Sequence, residues 1–162
     1  MAKQKAKKKV DAGDVATNRE ARFRYALSDQ VEAGIALLGS EVKSMRGGGV
    51  QMKDAYASIE NGEIWLRNLH IAPYKHAGND NHEPERPRKL LLHRREIDRL
   101  VGKLNEKGFS LIPTRIYFRN GRAKIEIALG RGKDVGDKRQ TIKEREMKRE
   151  MDRAGADYRR GR

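Results

Sequence analysis

Two Asn-Gly pairs, Asn61-Gly62 and Asn120-Gly121, do most to limit what this chain can fold into. Each lies between runs of alternating apolar and polar residues, the pattern of a tight two-residue β-hairpin. The first pair joins Tyr56–Glu60 to residues 63–71, and the second joins residues 109–118 to 122–129. Alternation puts Ile64, Leu66, Asn68 and His70 on one face of a strand, and Trp65, Arg67, Leu69 and Ile71 on the other. In the second hairpin Ala123, Ile125, Ile127 and Leu129 should face inward, with Lys124 and Glu126 outward. Pro113 inside a strand marks an edge or a bulge.

The rest of the body fits around these hairpins. Residues 24–27 and 31–38 read as two further strands, joined by a turn at Ser28-Asp29-Gln30. Ser40 is placed to cap a short helix over 41–46, which Gly47-Gly48-Gly49 ends. Residues 73–88 hold three Pro and almost nothing apolar, so they form a long loop. Residues 89–93 suit a short strand. Ile97, Leu100, Val101 and Leu104 repeat at helical spacing over 94–106, with Gly108 just past the end. About six antiparallel strands with few helices and no βαβ alternation predict a mainly β fold. The expected architecture is a small OB-fold-like antiparallel barrel with two or three short helices.

Charge divides the chain. The 162 residues carry 37 Lys+Arg against 23 Asp+Glu, a formal net charge of +14. Residues 1–9 contribute +5, residues 131–162 another +5, and only +4 remains for the middle. The expected organisation is a disordered basic arm over 1–15, a barrel over 16–130, and a C-terminal tail over 131–162. The tail has strong helix formers but too few apolar residues for a core. It is expected to be disordered when free and helical on a partner, with Ile142, Met147 and Met151 roughly on one side. A pI near 10.2 calls for a polyanionic partner, and nucleic acid is the commonest.

Several classes drop out. No apolar run reaches the roughly 18 residues of a membrane span. The basic N-terminus lacks the apolar core of a secretory signal. Zero Cys excludes disulfides, thiol nucleophiles and Cys-based zinc sites, and suits a cytoplasmic protein. The four His form no ligand spacing, so no metal and no cofactor are expected. Gly130-Arg131-Gly132-Lys133 lacks the parts of a Walker loop, though its glycines let backbone approach a phosphate. No nucleophile–base–acid triad assembles. A small hydrolase or nuclease using Glu41, His70 or His93 is the alternative from another class. The run from Asn18 to Tyr25 is more telling: it mixes cations, an amide and aromatics, the side chains that meet phosphates, base edges and unpaired bases.

Eight segments in order resemble one family. They are Asn-Arg-x-Ala at 18–21, Glu-Ala-Gly-Ile at 32–35, Gly-Ser-Glu-Val-Lys-Ser-Met-Arg at 39–46 and Asp-Ala-Tyr-Ala at 54–57. Then follow Asn-Gly-Glu-Ile-Trp-Leu at 61–66, His-Ile-Ala-Pro-Tyr at 70–74, Arg-Pro-Arg-Lys-Leu-Leu-Leu-His at 86–93 and Arg-Glu-Ile-Asp-Arg-Leu at 95–100. With Gly-Arg-Gly-Lys and the later Asp-Lys-Arg at 137–139, they resemble the SsrA-binding protein family, SmpB, the partner of tmRNA in trans-translation. The resemblance implies a non-catalytic adaptor that binds the tRNA-like domain of tmRNA and enters the A site of a stalled ribosome, with EF-Tu joined through tmRNA. It implies no membrane and no small-molecule substrate. A generic OB-fold ribosomal or translation protein is the alternative within RNA binders.

Carried over by the resemblance, Asn18 and Glu41 are polar positions facing tmRNA, with Glu41 accepting from a base amino group or a 2′-OH. Arg19, Lys43, Arg46, Lys124, Arg131, Gly132 and Lys133 are expected RNA-backbone contacts. Asp137, Lys138 and Arg139 match the start of the tail at the decoding site on small-subunit rRNA. Ile142, Lys143, Arg145 and Met147 match its part in the mRNA channel. The chain departs from the family pattern at Glu20, at Gly136 before Asp-Lys-Arg, and at Ala154-Gly155.

Overall fold

The computed structural model describes residues 13–160 apart from Lys107. Most of the expected basic arm, residues 1–12, lies outside the described residues. The elements are β1 (Asp14–Thr17), α1 (Ala21–Arg24), β2 (Tyr25–Ile35), α2 (Gly39–Arg46), β3 (Val50–Gln51), β4 (Tyr56–Glu60) and β5 (Glu63–Arg67). After them come β6 (His70–Ile71), β7 (Arg88–Leu91), α3 (Arg94–Leu104), β8 (Phe109–Arg119), β9 (Arg122–Gly132) and α4 (Val135–Arg160). β1 thus takes in Asp14 and Val15, which the sequence assigned to the arm.

Six strands form a barrel-like ring in the order β8-β4-β5-β7-β2-β9, and β9 pairs back onto β8. The ring is unevenly closed. β8 and β9 pair along their full length, whereas β4 and β8 meet only at Ala57–Leu111. β1 flanks β8, and β3 pairs with β6 in a separate two-stranded sheet. Ile64, Leu66, Leu90, Ile116, Ile125 and Ile127 fill the interior. Met45 of α2 and Leu100 of α3 are buried with them, so both helices pack on the ring. Burying each such side chain stabilises the fold by about 1.5–3 kcal/mol before entropy is counted.

Both expected hairpins are present. Asn61 (φ 51°), Gly62 (φ 72°), Asn120 (φ 51°) and Gly121 (φ 73°) give left-handed pairs, the type I′ geometry that matches strand twist. The register of β8 on β9 shifts between Pro113 and Arg115, a bulge at the residue that cannot donate.

Four expectations are corrected. Residues 24–27 and 31–38 are not two strands around a turn. β2 runs unbroken through Ser28-Asp29-Gln30, and the turn signal marks a bulge at which the register on β9 slips and Asp29 takes φ 46°. Lys103, at the end of α3, pairs with the Asp29 carboxylate and holds that bulge against the helix. Second, the alternation over 63–71 breaks at Asn68 (φ 56°). Ile64 and Leu66 are buried before it, Leu69 and Ile71 after it, so one left-handed residue moves the inward face by one place. Third, α2 starts at Gly39 with Leu38 before it, and Ser40 caps nothing. Fourth, Arg131 and Gly132 belong to β9 and not to the tail.

Candidate nucleic-acid interface

The most tightly built polar site centres on Glu41. As the third residue of α2, its carboxylate turns back to accept from the Leu38 amide at 2.8 Å. Oε1 also accepts from Arg86 Nε and Arg88 Nε, both at 2.8 Å, and Oε2 from Arg86 Nη2 at 2.6 Å. Four donors match the roughly four lone-pair sites of a carboxylate. Burial pushes the Glu41 carboxyl up. The hydrogen bonds from Arg86 and Leu38 and the charge of Arg88 outweigh it and hold the group below its ordinary value. Glu41 and Arg88 are both 0% exposed. The expectation that Glu41 faces an RNA base is therefore corrected: no lone pair is open to an outside donor, because Arg86 of the long loop, Arg88 at the start of β7 and the Leu38 amide have taken them.

That network shapes the segment between β6 and β7. Arg88 donates to the Leu69 and Pro84 carbonyls. His82, 5% exposed, lies between Ser40 Oγ and the Ile71 carbonyl, each 3.0 Å away. A carbonyl only accepts, so Nε2 carries a proton. Asn81 bonds the amide and the carbonyl of Tyr74 at 3.0 and 2.9 Å. The expected long loop is thus fixed to α2 near both ends, by Ser44 Oγ donating to the Ala72 carbonyl at 2.6 Å and by Arg86 donating to Glu41.

The expected RNA contacts fall at two ends of the barrel. At one, Tyr25 pairs with Gly132 and Phe109 with Arg131. The Lys133 amide bonds the Arg24 carbonyl, and Lys133 Nζ donates to the Arg22 carbonyl at 3.0 Å and to Thr141 Oγ1 at 3.3 Å. So Arg131, Gly132 and Lys133 lie along α1, beside the start of α4. Asn18 is spent internally: its amide nitrogen donates to the Pro113 carbonyl, and its oxygen accepts from the Ala21 amide. It orients α1 and leaves the neighbouring Arg19 exposed.

Lys124 lies seven residues earlier on β9, about 23 Å away at the rise of a strand. It pairs in register with Gly34 and Tyr117. Arg46 stands over the Phe118 ring at 5.4 Å, so α2 reaches this same end, where Lys43 is exposed nearby on the helix. Sequence reasoning missed Leu91 here. It is 53% exposed on β7 and shares a shallow groove with Glu32, Arg99 and Lys124. The signal was the run Leu90-Leu91-Leu92, in which a strand buries only alternate members. Glu32 binds the Tyr117 hydroxyl, Arg119 and Lys124. The Tyr117 hydrogen bond chiefly holds the Glu32 carboxyl low, while burial and Glu32 push the Tyr117 hydroxyl up to about 12. Among the described residues Arg19, Lys43, Arg46 and Arg131 enter no ion pair, whereas Lys124 does.

Asp137, Lys138, Arg139, Ile142, Lys143, Arg145 and Met147 all lie on α4. Arg145 stands over the Phe23 ring at 5.5 Å, so the first turns of α4 rest on α1. Residues 142–154 are otherwise exposed. The expected single apolar side is corrected. At about 100° per residue Met147 and Met151 share a face, while Ile142 lies about 140° from Met147, beside Val135. Among the described residues no helix is long and apolar enough to cross a membrane.

Known proteins resemble this chain along most of its length. The SmpB protein family model matches residues 15–157. The SsrA-binding protein of Symbiobacterium thermophilum is 55% identical over 150 residues, covering 92% of this chain and 95% of that one. That of Desulforudis audaxviator is 54% identical over 140 residues, covering 86% and 92%. That of Aquifex aeolicus is 54% identical over 140 residues, covering 86% and 89%. A solved chain described by the words "tmRNA-SmpB: a journey to the center of the bacterial ribosome" superposes with a TM-score of 0.63 at 48% identity, covering 74% of this chain and 85% of that one. Matched along the barrel and through most of α4, the chain belongs to the SmpB protein family.

Proposed function

We propose that this chain is a non-catalytic RNA-binding adaptor. It binds the tRNA-like domain of tmRNA and delivers it to the A site of stalled ribosomes for trans-translation, acting in the cytoplasm with EF-Tu joined through tmRNA. The observation that carries this reading is the match to curated SsrA-binding proteins at 54–55% identity over most of both chains. In it, Lys124 with the Leu91 groove, together with Arg46 and Lys43, contacts tmRNA at one end of the barrel. Arg19, Arg131, Gly132 and Lys133 contact phosphates at the other. Asn18 acts by setting the course of α1. Asp137, Lys138 and Arg139 meet the decoding site, and Ile142, Lys143, Arg145 and Met147 lie in the mRNA channel. Mixed acids and apolar residues on α4 support that division, since plain attraction to RNA needs neither.

Truncation after Lys133 tests it. The shortened chain should bind tmRNA within about threefold of the full chain, because the barrel keeps its unpaired cations. It should fail to support tagging on ribosomes stalled at the end of an mRNA. Normal tagging by the truncated chain, or no preference of the full chain for tmRNA over tRNA, refutes the proposal.

A further inference from the structure

The segment 72–87 costs a good deal of buried polar structure to hold in place, and that structure presents one small surface. Tyr74 is gripped by Asn81 at both its amide and its carbonyl. Lys43 Nζ lies over the Tyr74 ring at 5.6 Å. The His76 ring stands edge-on to Tyr74, with centroids 5.4 Å apart and planes at 68°. Lys75 and His76 are exposed, and among the described residues neither Lys43 nor Lys75 is in an ion pair. The chain thus offers an exposed imidazole held edge-on to a fixed tyrosine, with Lys43 on that tyrosine and Lys75 next in the chain, both outside any ion pair among the described residues. None of the functional residues carried over by resemblance accounts for Tyr74, Lys75 or His76.

We infer that His76, braced by Tyr74 and flanked by Lys43 and Lys75, is a stacking platform for an unpaired RNA nucleotide. The base lies on the imidazole face, and the ammonium groups meet the adjoining phosphates. Aromatic and imidazole faces stack on splayed-out bases, and such stacking tolerates any base. A rigid platform suits the task, because ordering a loop on binding would consume much of the interaction. The loop's acids, Asp80, Glu83 and Glu85, come later in its course. Side-chain anchors at Asn81, His82, Arg86 and Arg88 then explain why a Pro-rich stretch is built to stand still: they fix the platform relative to α2, which carries Lys43.

The inference rests on the RNA-binding reading above, and the unpaired nucleotide has two sources, tmRNA or ribosomal RNA. The experiment uses the full chain and three variants, His76→Ala, His76→Tyr and Lys75→Ala. Affinity is measured for the tRNA-like domain of tmRNA and, separately, for small ribosomal subunits. His76→Ala should lose roughly 5- to 150-fold in one arm, the range that follows from stacking of one base. The arm that falls identifies the source. His76→Tyr should stay within about threefold of the parent, and Lys75→Ala should weaken the same arm and flatten its salt dependence. Ultraviolet crosslinking of the parent to the affected RNA should label the tryptic peptide that begins at His76. Unchanged affinity of His76→Ala in both arms overturns the inference, and so does an equal loss in His76→Tyr. Both residues are exposed, so the variants should melt with the parent. Failure of the parent itself to bind tmRNA refutes the adaptor reading instead, and shows before any variant is made.

Discussion

Replacing Glu41 with Ala separates a structural role from an RNA-contacting one. The substitution removes the acceptor of four hydrogen bonds and the only carboxylate beside Arg88 among the described residues. Arg88 is fully buried and remains tied to the Leu69 and Pro84 carbonyls, which carry no compensating charge. Breaking a buried pair by removing one partner costs about 3–5 kcal/mol. Arg86 is 26% exposed and turns to water, so its loss adds little. A net cost of about 4 kcal/mol is a large share of a total near 5–15 kcal/mol. For a chain of this size it lowers Tm by about 8–16 °C. Circular dichroism melts read this directly. The double variant Glu41→Leu with Arg88→Met removes both charges and should recover at least half the lost Tm, since an apolar pair of similar volume replaces a buried ion pair at little cost. Affinity for tmRNA, measured well below the lowered Tm, should change less than threefold. A Tm drop under 3 °C, or a tenfold affinity loss in a fully folded Glu41→Ala protein, refutes the reasoning.

Acid should act through the same group. The folded Glu41 carboxyl lies below its ordinary value, so its contribution is fully present above about pH 4.5 and fades as pH falls toward the folded value. Urea titrations from pH 7 to pH 3 should therefore show a shallower loss in Glu41→Gln than in the parent, and parallel curves would refute this. Gly130→Ala places a methyl 2.8 Å from Ile112 Cγ1 and 3.1 Å from Tyr25 Cβ in a buried strand. Overpacking of this kind costs about 1–3 kcal/mol, and a Tm equal to the parent's would contradict it. Because many body cations are already paired, binding of tmRNA by a chain lacking residues 1–12 should show a modest salt slope. About five phosphate contacts give a slope of log K against log salt near −4 to −5, and a slope steeper than −8 would mean that the paired cations open on binding.

How much of this was legible in the sequence follows from the range of each interaction. Both hairpins were legible, because Asn-Gly and period-two alternation act over four to ten residues. The helix of Ile97 and Leu100 was legible for the same reason. What failed was decided by partners far away. Ser28-Asp29-Gln30 has turn composition, but Lys103, 74 residues on, turns it into a bulge. Glu41 reads as a polar residue of a short exposed helix, and its burial depends on Arg86 and Arg88, 45 and 47 residues later. Residues 73–88 read only as a long loop, since His82 and Asn81 show their worth only once Ser40, Ile71 and Tyr74 are beside them. Of the candidate site, Arg19, Lys43, Arg46 and Arg131, named by resemblance, stand exposed and outside ion pairs among the described residues. Leu91 was missed because three leucines in a row look like core.

The structure also changes what the net charge of +14 means. In the body, Arg86 and Arg88 are spent on Glu41, Lys103 on Asp29, and Arg115 on Asp14 and Glu126, so many cations there organise the fold. The cations assigned above to RNA, Arg19, Lys43, Arg46 and Arg131, enter no ion pair among the described residues, whereas Lys124 does, and Lys124 and Arg131 stand about 23 Å apart along β9. Under the proposed contacts a ligand must reach both places at once, so polyanions are not all held equally well. Under the proposed function spacing along the barrel adds selectivity, the charge near the chain ends adds attraction, and the acids and apolar residues of α4 add choice of partner. Glu32 fits the same logic: in the Leu91 groove its charge offsets those of Lys124 and Arg119, so this place attracts phosphate less than free cations would and adds an acceptor for a group that donates.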